Sequence, residues 1–185
     1  MAIVKPNDKI EATTQNAEKI LSFYGKMIDD RLANLFGASD FPVETATLYK
    51  AERYSLMSGG KRIRPVLVLS VCHMLGGNPS VALDYAAAVE MIHTYSLIHD
   101  DLPCMDNDDM RRGKPTNHKV YGETLAVLAG DAMQPEAFRL ILQARGLSAD
   151  NRIEAALLLA KACGADGMVA CPVLYTLCHV EDEEG

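Results

Sequence analysis

No stretch of about 18 uninterrupted apolar residues occurs in this 185-residue sequence, so no membrane span is expected. Lys161 and Asp166 divide its most hydrophobic tract, and Gly164, Gly167 and Pro172 punctuate it. Met1 to Thr14 lack a continuous apolar run and carry Asp8 and Glu11, so no signal peptide is read there and a cytoplasmic protein is expected. Basic residues are in deficit: 18 Lys and Arg stand against 25 Asp and Glu, a formal charge of −7. That balance argues against a broad polyanion-binding surface, and hence against nucleic acid as a partner, while leaving room for a local basic pocket. Cys72, Cys104, Cys163, Cys171 and Cys178 are odd in number and form no Cys-x-x-Cys pair, which favours reduced thiols over a disulfide framework or a zinc site.

What is present is ordinary globular composition, 49% apolar and 23% charged, enough to bury a core in a single domain over residues 1–185. Apolar residues recur at helical spacing from Asn7 to about Leu35, through Tyr24, Ile28 and Leu32, predicting one long amphipathic helix. After a break at Gly37, Ser39 and Pro42, Glu44 to Met57 reads as a second helix ended by Ser58-Gly59-Gly60. A third begins near Pro65 and stops around Gly76 to Pro79. A fourth runs from Ser80, read as its N-cap, to the aspartates at 100 and 101. Helical patterns resume from Lys119 to Ala144, with a kink expected at Pro135, and from Asn151 to Val169. Val66 to Val71 is apolar enough for a buried strand, but Pro65 and the surrounding spacing favour helix, so the fold class is all-α with short loops.

Three constellations carry chemistry. Asp100, Asp101, Asp106, Asp108 and Asp109 crowd the end of an apolar helix, where the macrodipole already disfavours anions, and Pro103 turns the chain so that Asp106 can return towards Asp100. Oxygen donors without His or Cys suit Mg²⁺ or Mn²⁺; a solvated acidic loop neutralised by Arg111, Arg112 and Lys114 is the competing reading. An EF-hand does not fit, since Arg111 stands where its glycine belongs and Asn117 where its glutamate belongs. In Gly59-Gly60-Lys61-Arg62-Ile63-Arg64-Pro65, a glycine pair, three cations and a helix start describe either a diphosphate cradle or a basic turn between helices. His93 lies two helical turns before Asp100 on the same face, either as a phosphate donor or as a half-buried histidine with a local partner. Together, a carboxylate pair, separate basic clusters and an apolar helix beneath suit a phosphorylated, lipid-like substrate.

The segments Gly59 to Pro65, Glu90-Met91-Ile92-His93-Thr94-Tyr95-Ser96-Leu97-Ile98-His99-Asp100-Asp101-Leu102-Pro103 and Asp106 to Gly113 closely resemble the trans-isoprenyl diphosphate synthases, in particular bacterial farnesyl and plant-type geranylgeranyl diphosphate synthases. The similarity covers residues 49–169 and leaves 170–185 as a divergent tail. It implies an isoprenoid synthase-type helical bundle and a Mg²⁺-dependent 1'-4 condensation of isopentenyl diphosphate with an allylic diphosphate. Asp100, Asp101 and Asp106 match the first Asp-rich motif, with Asp100 and Asp106 as metal ligands. Lys61, Arg64, His93 and Arg112, with Gly60 beside them, match positions that bind isopentenyl diphosphate, and Arg111 matches one that binds the allylic diphosphate. Tyr95, five residues before Asp100, resembles the bulky floor that stops growth at farnesyl, although bare helical geometry sets the two side chains about 140° apart and core packing also accounts for it. A homodimer is expected.

The family pattern departs after Gly167-Met168-Val169-Ala170, where Gly-Gln and a later Asp give way to Cys171, Pro172 and Tyr175, and Pro172 is expected to remove a helix hydrogen bond. No second Asp-rich motif follows, and the acidic Glu181 to Glu184 reads as a solvated end. The expectation is therefore an N-terminal portion of a farnesyl diphosphate synthase, its C-terminal helices missing and its independent activity low. A geranylgeranyl diphosphate synthase, or a non-catalytic helical subunit pairing with a full-length synthase, are the alternatives.

Overall fold

Apolar residues fall on every side of the segment Pro79–Asp100, and a helix of that kind is stable only where neighbours cover it all round. In the computed structural model, which describes residues 14–36, 42–170 and 172–173, this helix is α4, the centre of an all-α bundle. Around it stand α1 (Thr14–Leu35), α2 (Ala46–Leu56), α3 (Ile63–Met74), α6 (Glu123–Gln143) and α7 (Ala149–Cys163), with the short α5 (Asn117–Tyr121) against α6. Ala86, Ala87, Ala88, Met91, Ile92 and Ile98 of α4 are buried, and α1 applies the stripe Tyr24, Ile28 and Leu32 to the same core. Against α4, α6 presents small residues, Ala126, Ala129 and Gly130, that let the two backbones approach closely. At Gly130 a Cβ would run into the ring of His99.

Several boundaries differ from those predicted. The N-cap of α4 is Asn78, whose side chain accepts from the Ser80 backbone N–H at 3.0 Å, with Pro79 in the first helical position. The helix expected over 119–144 is broken at Gly122 (φ 85), leaving α5 and α6 as separate elements, and α6 continues through Pro135. Helix α7 ends at Cys163, capped by Gly164, instead of reaching Val169. Residues 170, 172 and 173 are again helical, and Pro172 falls in the first turn of that stretch, where its missing N–H removes no ladder bond. Met110–Arg111 and Lys114–Pro115 pair as two-residue strands, β1 and β2, in a chain read as free of strands. The part of the first predicted helix before Thr14, the residues Cys171, Tyr175 and Cys178, and the tail from Glu181 lie outside the described residues. Among the described residues no helix is long and apolar enough to cross a membrane, and Cys72, Cys104 and Cys163 are free thiols.

One core position works against stability. Glu52 of α2 is 1% exposed, its Oε2 has no hydrogen-bond partner, and burial, then the charge of Glu136, push its carboxyl up from 4.5 to about 7. A raised folded value means the stabilising state is the neutral one, fully present below pH 4.5 and lost as pH rises through about 7. Glu52→Gln is therefore expected to raise Tm at pH 8 by roughly 2 to 4 °C, ~1 kcal/mol, with little change at pH 4, checked by thermal melts at the two pH values.

Candidate functional site

The acidic segment starts where α4 runs out. Asp100 is the last helical residue and Asp101 the C-cap, so both stand at the negative end of a helix dipole. The chain then folds back as Pro103 suggested: the backbone N–H of Asp106 donates to the Asp100 carbonyl at 2.8 Å and that of Asn107 to the Leu102 carbonyl at 3.1 Å. This brings Asp106 beside Asp100. The Asp100 carboxyl is held above its usual range by burial first and then by the charge of Asp106, with Asp101 adding to it and Arg111 opposing.

Asp101 behaves differently. It is buried, and Arg111 grips both its oxygens, Nε donating at 2.7 and 2.9 Å and Nη2 lying 2.6 Å from Oδ1. Arg111 reaches Asp101 because the chain turns through a two-residue hairpin at Arg112 (φ 51) and Gly113 (φ 76), both left-handed as a type I′ turn demands. The hairpin is pinned from below. Tyr54 donates its hydroxyl to the Pro115 carbonyl at 2.8 Å, Thr116 Oγ1 donates to the Asp108 carbonyl at 2.8 Å, and Asn117 Nδ2 reaches the Ala51 carbonyl and Ser55 Oγ, each at 2.8 Å. Of the cations expected to neutralise the loop, Arg111 does so through Asp101 and, at 3.5 Å, Asp108. Arg112 turns away, and Lys119, which the sequence did not single out, pairs with Asp109 at 2.7 Å.

Arg112 instead crosses to the basic loop, where its Nη1 donates to the Gly59 carbonyl and its guanidinium covers Gly60. A Cβ on Gly60 would sit 2.5 Å from Arg112 Nη1, and its φ of +127 is one that other residues rarely adopt. Gly59 (φ +83) has open space instead. Gly60→Ala is accordingly expected to displace Arg112 from the loop and so to let His93 titrate above about 4, whereas Gly59→Ala strains the backbone without moving a cation; NMR titration of His93 in the two variants checks this.

Next to Arg112 lies His93, whose Nε2 is 3.4 Å from Nη1 of Arg64. Burial, then Arg64, Arg112, Arg111 and Arg62, pull the His93 imidazole down from 6.5 to about 4, so it is neutral at pH 7. Arginine only donates, so Nε2 accepts and the ring proton is assigned to Nδ1. Arg112 is itself held below its usual value, by burial and by Arg62 and Arg111. Lys61 is exposed and faces an open groove of about 410 Å³ between α1 and the loop, apart from the Arg64, His93 and Arg112 group. Tyr95 is buried in the core of the bundle, its ring edge-on to His99 at 5.7 Å, and burial, Cys163 of α7 and Asp100 all raise its hydroxyl.

Charges of both signs thus stand side by side. Arg111 acts on both groups, lowering His93 and Asp100 alike, so the carboxylate pair and the basic group are electrostatic neighbours. Among the described residues no three His, Cys, Asp or Glu side chains converge as a metal cage. Two repelling carboxylates at a helix C-terminus fit a Mg²⁺ ion that takes its remaining ligands from water and phosphate. A ligand bringing a divalent cation to Asp100 and Asp106 and an anion to Arg64 and Arg112 satisfies both halves.

The chain is similar to known proteins over most of its length. A family model described as polyprenyl synthetase matches residues 45–165. The chain is 45% identical over 182 residues to a chloroplastic geranylgeranyl pyrophosphate synthase of Capsicum annuum, covering 96% of this chain and 48% of that protein. It is 58% identical over 127 residues to the farnesyl diphosphate synthase of Geobacillus stearothermophilus, covering 68% of this chain and 43% of that protein. The chain thus spans about half the length of the curated relatives it matches. Among solved structures, an FPP/GFPP synthase from Zymomonas mobilis superposes with a TM-score of 0.85 at 38% identity, over 90% of this chain and 60% of that one.

Proposed function

The chain belongs to the polyprenyl synthetase family, and on that premise we propose that it serves the condensation of isopentenyl diphosphate with an allylic diphosphate, as a single domain of the isoprenoid synthase type. The observation that carries this reading is the chain reversal that sets Asp106 beside Asp100, next to the basic group of Arg64, His93 and Arg112. Arg64 and Arg112 bind the diphosphate of isopentenyl diphosphate, neutral His93 offers its Nδ1 proton to a phosphate oxygen, and Lys61 adds charge from the groove side. Gly60 leaves room for Arg112 to lie flat over the loop. Asp100 and Asp106 hold Mg²⁺, or Mn²⁺, which supplies charge neutralisation for the departing allylic diphosphate. Arg111, braced by Asp101, keeps a guanidinium in place between the two sites, where negative charge develops on the leaving oxygens.

The favoured product is farnesyl diphosphate, with Tyr95, buried five residues before Asp100, as the bulky residue that limits chain growth. Geranylgeranyl diphosphate is the second reading, favoured by the plant relatives, whose names carry that product. Tyr95→Ala is expected to raise the affinity for farnesyl diphosphate relative to geranyl diphosphate about fivefold, measured by competition binding. A cytoplasmic homodimer completes the reading. Free thiols at Cys72, Cys104 and Cys163 suit a reducing compartment, and the exposed Leu67, Val71 and Met74 on α3 suit a subunit contact.

Retention of labelled substrates tests the reading. Geranyl diphosphate is expected to stay on the protein with Mg²⁺ and to leave on addition of EDTA, while isopentenyl diphosphate binds with or without the metal. A protein that retains neither contradicts it.

A further inference from the structure

The basic loop carries cations at 61, 62 and 64, and only Arg62 is taken inside the protein, its side chain 2% exposed and that of its partner Glu90 3%. Its guanidinium forks to three helices: Nη1 donates to Glu90 Oε1 of α4 at 2.6 Å, Nε to Asp29 Oδ1 of α1 at 2.9 Å, and Nη2 to the Leu56 carbonyl that ends α2 at 2.8 Å. The backbone at Arg62 is left-handed (φ 49), which reverses the chain between the glycine pair and α3. Glu90 precedes His93 by three residues, one helical turn, so both point to the same side of α4. Two rungs therefore join the start of α3 to α4: Arg62 to Glu90, and Arg64 to His93. A buried ion pair is a poor source of stability compared with apolar residues of the same volume, but its geometry is strict.

We propose that Arg62 is a positioning residue for the diphosphate site: by gathering Glu90, Asp29 and the Leu56 carbonyl, it sets the loop so that Arg64 and Gly60 meet His93 and Arg112. The ligand in this inference rests on the function proposed above; the positioning itself does not.

Three variants test it, each read by calorimetric titration of inorganic pyrophosphate and by the NMR titration of His93. Arg62→Lys keeps the charge but cannot fork, and Arg62→Met with Glu90→Leu removes both charges together so that neither is stranded. Both are expected to keep their helices by circular dichroism, to lose pyrophosphate affinity about tenfold, and to let His93 titrate upward from about 4 towards 6.5 as Arg64 and Arg112 lose their places. In Arg62→Lys that rise reports movement, because the charge at position 62 is unchanged. Asp29→Asn acts at the half-exposed end of the fork, leaves the buried pair intact, and is expected to move both readouts in the same direction about threefold less; it decides the matter where the other two lose their helices. Folded variants with wild-type pyrophosphate affinity and wild-type His93 titration would reduce Arg62 to a structural brace and overturn the proposal. A wild-type protein that binds no pyrophosphate would instead overturn the proposed function, while the His93 titration still decides the role of Arg62.

Discussion

Asparagine at position 100 is expected to raise the Tm of the metal-free protein at pH 7 by roughly 2 to 4 °C and to abolish Mg²⁺-dependent diphosphate binding. The two effects have one cause. Burial, Asp106 and Asp101 hold the Asp100 carboxyl above its ordinary 3.8, and the C-terminal end of α4 adds to the strain. With the folded value raised, the contribution to stability is present in full below pH 3.8 and is lost as pH rises through the folded value, so the ionised group destabilises the fold at pH 7. The neutral amide removes that cost and the metal ligand together. Thermal melts with and without Mg²⁺ and pyrophosphate separate the two: the wild-type protein gains Tm from the ligand by mass action and Asp100→Asn does not. A variant less stable than wild type without metal, or equally stabilised by ligand, would contradict this assignment.

Asp101→Ala should behave in the opposite way, losing ~2 to 3 kcal/mol and roughly 5 to 10 °C of Tm whether or not metal is present. The neighbouring aspartates differ in partner and in burial. Asp101 is 4% exposed and bidentate to Arg111, itself 31% exposed, so removing the carboxylate strands a half-buried guanidinium at the base of the hairpin. Asp109, whose pair with Lys119 is on the surface, should lose far less on the same substitution. Adding Arg111→Ala to Asp101→Ala is expected to restore part of the lost stability, since no charge is then left unpaired. Melts of the single and double variants check this, and a loss below 1 °C for Asp101→Ala would show that the pair braces nothing.

Much of the site was legible because its signals are local. The crowding of Asp100, Asp101 and Asp106, the turn at Pro103 and the two-turn spacing of His93 all act within a few residues, and the chain realises each of them. Helix content followed equally well from periodicity. What failed to show is set by partners distant in sequence or by single-residue chemistry. Arg62 reads as one more loop cation, and only Asp29 and Glu90, brought in by α1 and α4, reveal it as buried. The division of labour between Asp100 and Asp101 depends on Arg111 reaching back through a hairpin whose strands, two residues each, are too short for any alternation to register. The Arg112-Gly113 turn was the available signal. For the α4 cap, Asn78 immediately before Pro79 carried the information, since proline suits the first helical position and the residue before it the cap. Gly122 interrupts an otherwise periodic stretch with a positive φ that periodicity does not register.

The most direct test of a divalent ion shared between Asp100, Asp106 and a diphosphate is calorimetric titration of geranyl thiodiphosphate, which resists turnover, into the wild-type protein and into Asp100→Ala/Asp106→Ala, each with Mg²⁺ and with EDTA. The predicted result is binding by the wild type that EDTA weakens by about a hundredfold, ~2.7 kcal/mol, and a double variant whose weak binding no longer responds to the metal. Equal affinity in all four titrations would contradict it.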